Sequence, residues 1–79
     1  FPYTTLFRSA LPPLQTVVKE YKDYLAAYVL LGKTLEKLLR QDEAMQIYRD
    51  GIAVASKEGD LMPLKEMQQK LNQLLHPIS

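Results

Sequence analysis

Few residues in this 79-residue chain have the type and spacing that chemistry needs. The single histidine, His76, stands beside Pro77 close to the end of the sequence, with no nucleophile or second base near it. A side-chain base must be poised against a partner to act, so His76 reads as an exposed tail residue. Asp42 and Glu43 are adjacent carboxylates. A helix start accounts for both, since carboxylates satisfy free N–H groups there and meet the positive end of the helix dipole. The glycines Gly32, Gly51 and Gly59 are too scattered to cradle a phosphate. With no cysteine, there is neither a thiolate zinc site nor a disulfide framework. No catalytic, cofactor-binding or metal-ligating set is expected, and the chain reads as a non-enzyme. What remains is a cationic run: Lys33, Lys37 and Arg40 fall on one helical face with Glu36 among them. Such a run is either a solvated face or a contact for a ligand.

Composition narrows the partners. A formal charge of +1 is too small to create the single-sign field that draws a protein to nucleic acid or anionic lipid. The most apolar stretch, Leu25 to Leu31, is broken by Gly32 and Lys33, well short of the roughly 20 residues a membrane span needs. The chain reads as soluble, with no targeting segment in view and a cytoplasmic setting expected. A chain of this length makes one small domain that buries only about 60% of its unfolded surface, so stability is expected to be marginal.

The elements that must position these residues are helices, because apolar residues from Leu11 onward recur at steps of three and four. Pro12 and Pro13 suit only a first helical turn, which predicts a short helix from about Pro13 to Tyr21 burying Leu14, Val17 and Val18, with no extension upstream. Asp23 is expected to cap a second helix, Tyr24 to about Leu39, carrying Leu25, Tyr28, Leu31, Leu35 and Leu38. A link at Arg40 and Gln41 forces an antiparallel hairpin. Asp42 is expected to cap a third helix bearing Ala44, Ile47, Tyr48, Gly51, Ile52 and Ala55, ended by Gly59 in the left-handed conformation. Asp60 restarts the chain, with Pro63 in the first turn and Leu64, Met67, Leu71, Leu74 and Leu75 as the buried stripe of a fourth helix. The fold class is all-α, antiparallel helical hairpins of an α-solenoid with about four helices.

Small residues at chosen helix positions let two helices approach closely, and their spacing here is specific. Taking Leu31-Gly32 as a paired signature, Tyr28 lies three residues before Leu31, Ala44 twelve after Gly32, and Tyr48 four after Ala44. This resembles the tetratricopeptide repeat, a helix-turn-helix unit of 34 residues, over Leu25 to Glu58. The resemblance implies that Gly32 and Ala44 sit where the two helices come closest, with Tyr28, Leu31, Leu35, Tyr48 and Gly51 packed around them. Leu35 replaces the usual late aromatic, Gly51 the usual alanine, and Ser56 the terminal proline. Projected backward, the same period places Ala10, Leu14, Val17 and Lys22 on the second helix of a preceding repeat. Projected forward, it puts Glu66 where a glycine is required, so the fourth helix resembles a cap with Lys65, Gln68, Gln69, Lys70 and Asn72 turned outward.

In that family the first helix lines a concave groove, and the resemblance implies that Ala26, Val29, Lys33 and Glu36 face a bound peptide or protein. Val29 stands where the subclass that grips chaperone tails carries a polar clamp residue, so chaperone-tail binding is not implied. The residues Phe1 to Ser9 resemble, position for position, the translation of a sequencing adapter. The organisation expected is therefore a non-native segment 1–9, the remnant of a preceding repeat's second helix 10–24, a repeat 25–58, a C-terminal capping helix 59–75 and a tail 76–79. The function expected is a protein-protein interaction module, a fragment of a repeat scaffold with a protein or peptide partner and possible self-association. The alternative is a structural hairpin that self-associates as a bundle without a groove. No nucleic acid, membrane or cofactor enters either reading.

Overall fold

The computed structural model describes residues 2–76, and side chains from Arg8 onward. Phe1, and the part of the expected tail that follows His76, lie outside the described residues. The chain forms four α-helices, α1 (Pro2–Glu20), α2 (Leu25–Lys37), α3 (Gln41–Glu58) and α4 (Leu61–Leu75), and the described residues contain no strand. Consecutive helices pack side by side, and α4 reaches back past α3 to touch α2. α2 is thus the central element, in contact with all three others. The core is built on Leu25, Tyr28, Leu31 and Leu35 of α2, with Leu11, Ala44, Tyr48, Ala55 and Met67 contributed by the other helices.

The helix α1 corrects one expectation. It runs unbroken from Pro2 through Pro12 and Pro13, where a start at the proline pair was expected. The pair removes the N–H groups that would bond to the Arg8 and Ser9 carbonyls. Both of those residues are exposed, so water can take the place of the lost donors. Leu11, just ahead of the pair, is buried and anchors the helix on the core, while Leu14 and Val18 are half-buried beside it. Because an interior proline costs about 3 kcal/mol relative to alanine, Pro12→Ala is expected to stabilise the chain by roughly 1 to 3 kcal/mol, read as a higher urea midpoint with unchanged slope. No change would mean that α1 does not extend upstream of the pair in solution.

Two expected caps are also corrected. Tyr24 occupies the N-cap of α2 and Asp23 lies in the preceding turn. Arg40 occupies the N-cap of α3, which places Asp42 and Glu43 inside the first turn. The cause is the way α2 ends. Arg40 N–H donates to the Leu35 carbonyl at 2.9 Å and Leu39 N–H to that of Glu36 at 3.0 Å, the paired bonds of a Schellman turn. That turn puts Leu39 at φ 62°, a left-handed conformation uncommon outside glycine and asparagine, and leaves it 83% exposed. Arg40 then starts α3, its guanidinium hydrogen-bonded to both carboxylate oxygens of Glu43. The α3 terminus repeats the motif with the residue that suits it: Gly59 at φ 75°, and Asp60 N–H donating to the Ala55 carbonyl at 3.0 Å. In α4, Met67 is fully buried and Leu64, Leu71 and Leu74 are half-buried. Leu75, expected in the same stripe, is exposed at the last residue of the helix, where the next residue no longer covers it.

Candidate partner-binding groove

The wall of the site is α2, and its position against α3 is set by two glycines. A Cβ on Gly32 would fall 2.5 Å from Cζ of Tyr48 and closer still to Cε1, so the aromatic ring of α3 lies directly on the α2 backbone. One on Gly51 would meet the Met67 thioether and lie 2.9 Å from Tyr28 Cβ, so α2 and α4 both bear on the α3 backbone there. Ala44, on α3, is wholly buried in the core. The Tyr48 hydroxyl donates a hydrogen bond to Oε2 of the half-buried Glu36, the polar tie between the two helices. Thr34, also buried, donates to the Leu30 carbonyl at 2.8 Å.

Burial, the hydrogen bond to Glu36 and the nearby carboxylate charges together hold the Tyr48 phenol far above its ordinary range. Tyr28 is raised as well, by burial first and then by Asp50 and Asp23. The folded chain therefore keeps protons that the unfolded chain releases above about pH 10. Stability contributed by these groups is complete below that pH and lost as pH rises through it, by at most about 1.4 kcal/mol per pH unit for each phenol. Urea melts between pH 9 and 11.5 are expected to show this decline, and Tyr48→Phe to remove a large part of the slope. An unchanged slope in the variant would contradict the assignment.

An open groove of about 650 Å³ lies between α2 and α4. From α2 come Ala26, Val29, Leu30 and Lys33; from α4 come Met62, Pro63 and Glu66; Asp23 and Asp60 close one end. Leu30 is 53% and Met62 84% exposed, so the floor presents apolar surface to solvent. Lys33 Nζ lies 3.2 Å from Glu66 Oε2, linking the two walls. An ion pair this exposed contributes at most about 1 kcal/mol and is readily exchanged for another partner.

Of the four residues expected to face a partner, Ala26, Val29 and Lys33 line this groove and Glu36 does not. Its carboxylate points instead to Tyr48, under the α2–α3 interface. Leu30, Met62, Pro63, Glu66, Asp23 and Asp60 were not singled out as groove residues from the sequence. The signal for Glu66 was present: one 34-residue period beyond Gly32 falls on it, which sets it on α4 across from the Lys33 turn. For Met62 and Pro63 only the stacking of α4 on α2 could have shown it. Glu66 is exposed, so a carboxylate is accommodated at that position.

Comparison with known proteins gives one informative relative. A scan against protein-family models matches none, and a search of curated proteins matches none. Among solved structures, the solution NMR structure of a tetratricopeptide repeat domain protein from Salinibacter ruber superimposes with a TM-score of 0.82. It is 35% identical in sequence, over 86% of this chain and 69% of that one. With α2 and α3 paired through Gly32 and Tyr48, and α4 stacked on both, the chain belongs to the tetratricopeptide repeat family, a family of non-enzymatic scaffolds that bind proteins.

Proposed function

We propose that the chain binds an unfolded or helical peptide segment of a partner protein in the groove between α2 and α4, with Ala26, Val29 and Lys33 among the contacts. The observation that carries this reading is the groove itself: exposed Leu30 and Met62 face one channel whose walls come from two different helices. Apolar surface left open and rimmed by charged groups is the pattern of an interaction site. The Lys33–Glu66 pair gives the rim groups that can exchange partners when a ligand enters. Gly32 and Gly51 serve this function indirectly, by letting the helices approach closely enough to fix the angle between the walls.

Selection from a displayed library of random twelve-residue peptides tests the reading. Peptides enriched on the wild-type chain are expected to lose at least tenfold in affinity with Val29→Arg, since a cation is then placed on the apolar floor. Circular dichroism and sedimentation should remain unchanged in the variant. Affinity indifferent to Val29→Arg would place the site elsewhere. The second reading, self-association without a groove, is favoured by the exposed Tyr21, which lines another concavity at the α1–α2 turn together with Tyr24, a residue the groove shares. A dimer that survives Val29→Arg and is lost with Tyr21→Ser would support it.

A further inference from the structure

The charges around the groove are unequal. Three carboxylates, Asp23, Asp60 and Glu66, face one ammonium, that of Lys33. Lys33 is already engaged by Glu66, so the pair is close to neutral as seen by a ligand. Asp23 and Asp60 remain, one from the α1–α2 turn and one from the α3–α4 turn, brought to the same end of the channel by the stacking of α4 on α2. Neither is used as a helix cap: Asp23 lies ahead of the α2 N-cap, and Asp60, at the α4 N-cap, makes no side-chain capping bond.

We infer, resting on the groove reading above, that the segment bound between α2 and α4 is apolar along the floor and carries lysine or arginine at the end that reaches Asp23 and Asp60. Apolar side chains would cover Val29, Leu30 and Met62, and the cation would be received by the two carboxylates at that end. The surroundings of that end agree. Glu58 adds to the acidic surroundings there: its carboxyl is pushed above the usual range by desolvation, by Asp23 and by Asp60, with Lys57 opposing. An acidic segment would face the same carboxylates, and Lys33 could receive it only by giving up Glu66. An uncharged one would leave those carboxylates without a counter-charge.

The same peptide selection, run in parallel on wild type, Asp23→Asn/Asp60→Asn and Val29→Arg, decides the matter. Both aspartates are exposed, and asparagine keeps the capping ability at position 60. Wild type is expected to enrich peptides that pair leucine-like residues with lysine or arginine. The double variant is expected to lose the basic preference, and to weaken binding of a wild-type-selected peptide about tenfold at 50 mM NaCl, with a smaller difference at 500 mM. Enrichment of acidic or uncharged peptides that still depend on Val29 overturns the charge inference and leaves the groove reading standing. No enrichment above the Val29→Arg control overturns both. A wild-type dimer dissolved by Val29→Arg identifies the occupant as a second copy of the chain and overturns the inference as well.

Discussion

Alanine in place of Tyr48 is expected to leave the chain largely unfolded at 25 °C. The side chain has no exposed surface, packs against the Gly32 backbone and donates its hydroxyl to Glu36. Removing a buried aromatic costs about 3 to 5 kcal/mol through lost transfer energy and the cavity left behind. Here the half-buried Glu36 carboxylate also loses its donor. A chain of this size has a total stability of roughly 4 to 12 kcal/mol, and small domains fall toward the lower end. Urea denaturation followed by circular dichroism checks the effect. Tyr48→Phe separates its two parts: it keeps the ring and loses only a hydrogen bond to a charged group, worth about 2 kcal/mol. A Tyr48→Ala chain destabilised by less than about 1 kcal/mol would show that α2 and α3 do not meet as described.

Valine at Gly32 is expected to be nearly as damaging, and alanine there is the more informative change. At an open position inside a helix, Gly→Ala gains about 1 kcal/mol. At Gly32 the new Cβ would meet the Tyr48 ring, which has little freedom to retreat because Glu36 holds its hydroxyl. Overpacking of that kind costs about 1 to 3 kcal/mol, and more for the branched side chain. Gly32→Ala should therefore destabilise, Gly32→Val more so. Gly51→Ala should cost less, because the Met67 thioether that it meets can rotate, although Tyr28 Cβ cannot. Thermal melts of the three variants give the order directly. A stabilised Gly32→Ala chain would contradict the close approach.

These glycines also show how much of the molecule is legible in the sequence. The hairpin of α2 and α3 is written in residue spacing: a glycine and a tyrosine that meet across the two helices, with a buried alanine between them in sequence, have one economical arrangement, and the related structure has the same fold. The helix starts were less legible. Aspartate is a good cap wherever a helix begins, but the beginning is set by the preceding turn. The left-handed Leu39 moved the start of α3 ahead of Asp42, and no glycine marked the place. Proline rules describe the local cost and cannot weigh it against the burial of Leu11, so α1 extends where the pair alone argued for a start. In the groove, the α2 wall followed from the family resemblance. The α4 wall did not, because Met62, Pro63 and Glu66 are brought opposite Val29 and Lys33 only by the packing of one hairpin on the next helix. Glu36 has the right spacing for the groove, yet a buried hydroxyl one helix away takes its carboxylate.

The central claim is that α2 and α4 together form the binding surface of this repeat module. Amide chemical-shift mapping of the ¹⁵N-labelled chain, titrated with a peptide selected on it, tests that claim most directly. Shifts concentrated at Ala26, Val29, Leu30, Lys33, Met62 and Glu66, with α1 and the outer face of α3 unaffected, are the predicted result. Shifts centred on α1 and Tyr21, with the α2–α4 groove silent, would contradict it.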